Sequence, residues 1–216
     1  MKQIAIFGCG GFGRDVTMVI DEINAKGEEQ WELIGYYDDG KKKGDLINDY
    51  PILGGIIELN HVTNSLGLVI AIGNPIIKRK VHQSIKNPNI YFPSLIYPNV
   101  IMGNKKFISI GEGTIIGPSN VLTTNFKIGN HVFLSLFCSV GHDTIIKDYV
   151  SIHPGVNISG EVVIEEGVFI GTGVKIINQV KIGKDTYVGA GALVSKSLPE
   201  KCTAVGIPAR AIKFNK

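Results

Sequence analysis

From position 110 the chain reads in blocks of six: IGEGTI, IGPSNV, LTTNFK, IGNHVF, LSLFCS, VGHDTI, IKDYVS, IHPGVN, ISGEVV, IEEGVF, IGTGVK, IINQVK, IGKDTY, VGAGAL, and then Val194. Every block opens on an aliphatic residue, so fifteen positions from Ile110 to Val194 hold the register without exception. A period of six suits neither an amphipathic helix nor a simple alternating strand. It marks a hexapeptide β-helix. Four residues after most of these aliphatics stands a small or β-branched residue, among them Thr114, Val132, Cys138, Thr144, Val150, Val156 and Thr186. Each block therefore predicts one short strand with two inward side chains, then a turn. Glycine follows the aliphatic at Gly111, Gly117, Gly129, Gly141, Gly171, Gly183 and Gly189, where a turn can require a backbone without a Cβ. Three blocks close one triangular coil, so the repeat builds about five coils that bury a column of Ile and Val. The period leaves the hand of the coil open.

The first part of the chain has another rhythm. Gln3 to Gly8 is a short apolar strand, and Arg14 to Lys26 carries Val16, Val19, Ile20 and Ile23 at helical spacing. A second strand, Leu33 to Tyr37, ends at Asp38-Asp39. Leu66 to Ile72 is a nearly continuous apolar run, as a strand buried on both faces should be. Pro75 to Lys86 then reads as a helix with proline in its first turn. Alternating strands and helices give a small Rossmann-like parallel α/β domain over 1–95, with a joint where Pro93 and Pro98 bracket an extended stretch. The β-helix occupies 96–216, and Lys196 to Lys216 leaves it as a terminal arm.

The bulk numbers exclude several classes. With 216 residues, 44% hydrophobic and 19% charged, the chain can bury a real core. A net charge of +3, with no basic run longer than Lys41-Lys42-Lys43, gives no footprint for nucleic acid. The apolar strand after Met1-Lys2-Gln3 is too short for a signal peptide, and no run reaches the roughly 18 apolar residues of a membrane span. Cys9, Cys138 and Cys202 are scattered, which supports neither a disulfide frame nor a zinc site. A cytoplasmic protein is expected.

Three segments add a resemblance to the repeat: Gly8-Cys9-Gly10-Gly11-Phe12-Gly13-Arg14, Ser139-Val140-Gly141-His142-Asp143, and Val205-Gly206-Ile207-Pro208-Ala209-Arg210. With them the chain resembles the left-handed β-helix acyltransferases of the hexapeptide-repeat superfamily. Within these it is similar to the nucleotide-sugar acetyltransferases that include the bacillosamine-pathway N-acetyltransferase and the sialic acid O-acetyltransferase. The resemblance spans nearly the whole chain. It implies acetyl-CoA as co-substrate, a nucleotide-linked amino sugar as acceptor, and a homotrimer with its site in a groove between neighbouring coils.

The glycine turn follows a strand and opens a helix, so its N–H groups and the helix dipole suit a phosphate. Alone, the motif equally suits a nicotinamide cofactor or a purely structural turn. The domain is too short for a full dinucleotide fold, and no second catalytic α/β domain follows. The resemblance instead makes Gly10, Gly11, Phe12, Gly13, Asp38, Asp39 and the Ala71-Ile72-Gly73-Asn74 turn the contacts to nucleotide and sugar. Many relatives carry His where this chain has Phe12, which removes a polar contact there.

Of the five histidines, His61 and His82 read as surface residues of the first domain. His131, His142 and His153 invite comparison with γ-class carbonic anhydrases, which share the β-helix and bind zinc through three histidines. Steps of eleven, against eighteen per coil, put the three on different faces, so no metal site is expected within one subunit. His142 projects from a turn and aligns with the family's general base, and Asp143 with its acidic neighbour. An imidazole titrates near neutrality and can accept the proton of a sugar amine, and a nearby carboxylate favours the imidazolium. The family's second contact to the acetyl group falls nine residues on, at Ser151, with His153 two further; either residue could serve. The resemblance also places Gly160, Thr172 and Ala190 along the pantetheine arm. Lys196, Lys201, Arg210 and Lys213 supply charge for the phosphates. The leading expectation is N-acetylation of a nucleotide-activated amino sugar at its 4-amino group. O-acetylation of a sugar hydroxyl and a non-catalytic nucleotide-sugar scaffold are the alternatives.

Overall fold

The computed structural model describes residues 1–27 and 30–214. The first domain runs β1 (Lys2–Phe7), α1 (Gly11–Lys26), β2 (Trp31–Tyr37), β3 (Leu46–Ile47), β4 (Tyr50–Gly54), α2 (Ile56–Asn60), β5 (Leu66–Ile70), α3 (Pro75–Ser84) and β6 (Ile90–Tyr91). The sheet order is β3-β4-β2-β1-β5-β6, parallel throughout except for the β3–β4 hairpin. That hairpin and α2 were not expected. Their signal was Asn48-Asp49, two residues with φ of 46° and 67°, which is the left-handed turn a two-residue hairpin needs. β5 is buried along its whole length, as its apolar run requires. α1 buries Gly13, Val16, Val19 and Ile20 on one side of the sheet. That layer also takes in Leu95, Ile115 and Phe133, so the sheet and the β-helix share a core. No helix among the described residues is long and apolar enough to cross a membrane.

The second domain is a triangular prism of two-residue strands. Face one stacks Leu95–Ile96, Ile115–Ile116, Phe133–Leu134, Ser151–Ile152, Phe169–Ile170, Tyr187–Val188 and Cys202–Val205. Face two carries Ile101–Met102 up to Leu193–Val194, and face three Ser109–Ile110 up to Lys181–Ile182. Pairing is parallel between residues eighteen apart, as in Ile116↔Leu134 and Leu134↔Ile152. Apart from the partly buried Ile110, both inward positions of each block are buried, the aliphatic and the residue four beyond it. Where that second residue is polar it is fully bonded. Asn120 donates to the Gly117 and Ser135 carbonyls, both at 2.7 Å, and accepts from the Cys138 N–H at 2.7 Å.

Three details differ from expectation. The prism starts at Leu95, one residue before the expected boundary and a coil before the regular register, because Met102 and Ile110 stand eight residues apart and a 3₁₀ turn at Lys105–Phe107 absorbs the excess. The repeat was therefore invisible before Ile110. The terminal arm also leaves later than Lys196. Leu198 still bridges Ile182, and Cys202–Val205 still extends face one; only Arg210–Phe214 turns back antiparallel. The arm's last two positions lie outside the described residues.

The third difference concerns glycine. Positive φ falls not on the glycines after each aliphatic but two residues later, for instance at Ser119, His131, Phe137, Asp143 and Tyr149. The glycines after the aliphatics answer a different need, which is close approach of successive coils. At Gly171 a Cβ would sit 2.6 Å from the Ala190 nitrogen and 3.0 Å from the Val188 oxygen. Gly171→Ala should therefore destabilise the fold by about 1–3 kcal/mol, the usual cost of overpacking. Urea unfolding reads this directly, and an unchanged midpoint would contradict the close-packing role.

Candidate active site

His142 sits on the corner between faces two and three. Val140 and Thr144 point inward on either side of it, so Gly141, His142 and Asp143 form the bulge of the turn. Asp143 takes the left-handed conformation at φ 57°. Both side chains are about half exposed, and His142 Nδ1 lies 2.8 Å from Asp143 Oδ2. A carboxylate at Nδ1 fixes the proton there and leaves Nε2 with its lone pair free. The hydrogen bond from His142, and then one from Asn125, holds the Asp143 carboxyl below the usual carboxylate range. Gly160 lies one coil further along the same corner. A Cβ there would stand 2.5 Å from both Cε1 and Nε2 of His142, so only glycine leaves room for the ring.

The eighteen-residue step continues this corner through Asn178 to Lys196. At the usual strand spacing, three coils carry Lys196 roughly 14 Å along the axis from His142. There Lys196 and Arg210 line one shallow cavity of about 360 Å³. Thr172 and Ala190 stand elsewhere. They stack on the corner between faces one and two, as does His153, and face two separates them from His142. Lys201 and Lys213 lie outside the lining of that cavity.

The glycine turn is tightly closed at its ends and open in its middle. Gly8 has φ 98°, and a Cβ on Gly13 would meet the Gly8 oxygen at 2.0 Å, whereas Gly10 and Gly11 face open space. Several expected ligand contacts are spent internally. Asp38 accepts from the Cys9 N–H at 3.1 Å, the Cys9 thiol at 3.3 Å and the Gly40 N–H at 2.9 Å, so it braces the turn. Burial alone would raise its pKa, but these donors pull it below the ordinary value. Asp39 accepts from the Ile56 N–H at 2.7 Å and starts α2. Asn74 caps α3, accepting from the N–H groups of Ile76 and Ile77 at 3.0 and 3.1 Å. Phe12 turns to the β-helix, its ring 3.9 Å from that of Phe133.

Sequence reasoning missed the seam between the domains. Lys78 of α3 is buried and donates to the Val150 carbonyl at 3.3 Å and the Ser151 hydroxyl at 3.0 Å. Ser151 is therefore sealed under α3 rather than facing an acetyl group. Arg79 pairs with Glu166 and with Asp185 at 2.5 and 3.0 Å. His82 is no surface residue. Its Nδ1 lies 2.7 Å from the Tyr149 hydroxyl, and its ring packs 4.0 Å from that of His131. His131, His142 and His153 occupy three different corners. The seam contacts use face one and its two corners, so His142, on the corner opposite that face, lies on the other side of the prism from the glycine turn.

The chain is similar to known proteins along nearly its whole length. Residues 3–85 match the PglD N-terminal domain family, and 161–196 match the bacterial transferase hexapeptide (six repeats). A GDP-perosamine N-acetyltransferase of Escherichia coli O157:H7 is 31% identical over 161 residues, which is 74% of this chain and 71% of that protein. The chain belongs to the hexapeptide-repeat sugar N-acetyltransferases. WeeI from Acinetobacter baumannii AYE is 31% identical with a TM-score of 0.86, covering 98% of this chain and all (100%) of that one. The acetyltransferase domain of PglB from Neisseria gonorrhoeae FA1090, solved in complex with acetyl coenzyme A, is 26% identical with a TM-score of 0.86 and covers 98% and 99% of the two chains. The shared fold is an α/β domain followed by a left-handed β-helix.

The seam makes stability depend on pH. Burial, with His82 and Lys78 nearby, drives the His131 pKa down to about 3. The unfolded chain binds that proton near pH 6.5, so stability falls as pH drops from 6.5 towards 3. Between pH 7 and pH 5 this single group should remove about 2 kcal/mol. His131→Asn, which tolerates the left-handed backbone there, should flatten that loss in unfolding curves at the two pH values. An unchanged slope would contradict the buried neutral imidazole.

Proposed function

We propose that the protein transfers the acetyl group of acetyl-CoA to the amino group of a nucleotide-linked amino sugar, a 4-amino-4,6-dideoxy sugar, with His142 as general base. The observation that carries this reading is the His142–Asp143 pair on an open corner with Gly160 behind it. Acetyl-CoA as donor is supported by the complex recorded for the PglB domain, and an amino sugar by the name of the perosamine enzyme.

The chemistry follows from the atoms. The sugar amine attacks the thioester carbonyl carbon while His142 Nε2 takes its proton. Asp143 stabilises the imidazolium that forms. The developing oxyanion needs a backbone donor, a role for which we propose the Gly160 N–H on the same corner. Collapse breaks the carbon–sulfur bond, and the imidazolium returns the proton to the departing thiolate. The corner from His142 to Lys196 offers a track for the pantetheine arm, with Lys196 and Arg210 at its phosphate end.

The nucleotide belongs on the glycine turn, at the carboxyl ends of β1 and β5, where a parallel sheet binds ligands. In one chain that turn and His142 lie on opposite sides of the prism. A complete site therefore needs a second copy, and a trimer whose prisms pack side by side supplies it. Ile101, Val121 and Phe137, large exposed apolar residues along face two and its edge, support such packing.

Incubation with acetyl-CoA and a panel of UDP-, dTDP- and GDP-linked 4-amino sugars should release free thiol with at least one. Turnover only with a hydroxyl acceptor would overturn N-acetylation. His142→Ala should lower kcat by roughly 10²- to 10⁴-fold, and a variant at full rate would remove the base. Lys196→Ala should raise the KM for acetyl-CoA roughly 3- to 10-fold with kcat kept, as for loss of one charge-assisted contact. A rise in the acceptor KM instead would place Lys196 elsewhere.

A further inference from the structure

Beside the glycine turn an aromatic column climbs face one. Phe12 lies against Phe133, with ring centroids 3.9 Å apart. Phe133 meets His153 edge-on at 6.0 Å, His153 meets Phe169 at 4.4 Å, and Phe169 stacks on Tyr187 at 4.2 Å with the planes 5° apart. On this face the rungs are eighteen residues apart, so Ser151 should hold the place between Phe133 and Phe169. Its small side chain is drawn under α3 by Lys78, and the His153 ring fills the vacant rung from the corner.

His153 also lies beside the first domain. A Cβ on Gly73, in the turn after β5, would stand 3.9 Å from its Cε1 and Nε2. Among the described residues Nε2 has no hydrogen-bond partner, and it is shielded from water, although the residue as a whole is only half buried. An unpaired ring nitrogen in a dry place is costly, and it identifies a position where a ligand atom would be held. Tyr187, at 44% exposure, leaves the upper end of the column open.

We infer that His153, Phe169 and Tyr187 form the wall for the sugar of the nucleotide-linked acceptor, with His153 Nε2 hydrogen-bonding a sugar oxygen. A ligand with its phosphates on the glycine turn passes over Gly73 and meets this wall next. The aromatic faces suit the apolar side of a deoxy sugar, and the one nitrogen fixes its orientation. Burial, with Lys78 behind it, lowers the pKa of His153 and keeps the ring neutral. This assigns His153 to the acceptor rather than to the acetyl donor, and it rests on the nucleotide-sugar reading given above.

The test is calorimetric titration of the full-length protein and its His153→Phe and Tyr187→Ala variants. The probes are UDP, dTDP and GDP, and the 4-amino-4,6-dideoxyhexose conjugate of each. His153→Phe keeps the wall and loses the nitrogen; Tyr187 is exposed enough for its variant to fold. Both variants should bind the bare nucleotide like the parent and bind its sugar conjugate roughly 5- to 10-fold more weakly, the size of one lost polar or packing contact. Their KM for acetyl-CoA should not move. Equal losses for bare and conjugated nucleotide, no loss for either, or a raised acetyl-CoA KM alone would each overturn the wall. If the parent protein binds no nucleotide and no conjugate, the nucleotide-sugar reading falls, and the wall with it. If the parent binds and acetylates a conjugate that the variants bind equally well, only the wall falls.

Discussion

Successive coils of the prism touch backbone to backbone, and this contact disciplines the rest of the molecule. Residues eighteen apart stand on one another, so each face repeats one side-chain role up its length. The residue after each aliphatic must often be glycine, because the next coil's peptide lies where its Cβ would be. The residue two further must take the left-handed turn. The same contact sets the chemistry. Gly160 is one coil beyond His142, and the missing Cβ is what lets the imidazole lie on the corner with its Nδ1 turned to Asp143.

The first domain is fastened to this rigid column by the apolar layer under α1 and by the polar contacts of α3. α3 lays Lys78 on Ser151, Arg79 on Glu166 and Asp185, and His82 on Tyr149. The two carboxylates around Arg79 and the fully buried Lys78 make the seam specific, because each charge loses water when the domains dock. Docking onto face one has a consequence for function: the glycine turn and the base face away from each other. For the proposed reaction, a lone chain would hold the halves of two different sites, and association would complete each of them.

The β-helix was legible because its repeat depends on local spacing. An eighteen-residue coil prints itself in the sequence whenever each block keeps six residues. The eight-residue step before Ile110 hid the first coil for the same reason. His142 and Asp143 were legible as neighbours in sequence that remain partners in space. The seam was not, since its hydrogen bonds from α3 join residues 67 to 106 positions apart and nothing in the pattern of α3 names face one as its target. The internal hydrogen bonds of Asp38, Asp39 and Asn74 were not legible, because an oxygen after a strand serves a turn or a helix cap as readily as a ligand. Thr172 and Ala190 were grouped with Gly160 by resemblance, and counting blocks from Ile110 already separates their corners.

The proposed cross-subunit site is tested most directly by mixing two inactive variants. Gly10→Glu places a carboxylate where the phosphate should lie, and a Cβ at Gly10 meets nothing within 4 Å, so the fold tolerates it. His142→Ala removes the base while leaving the glycine turn intact. Each variant alone should release almost no thiol. Co-expressed, they should regain activity, because an intact turn from one copy then faces an intact His142 from another. Two folded variants that stay inactive when assembled together would show that both halves come from the same chain, against the geometry described above.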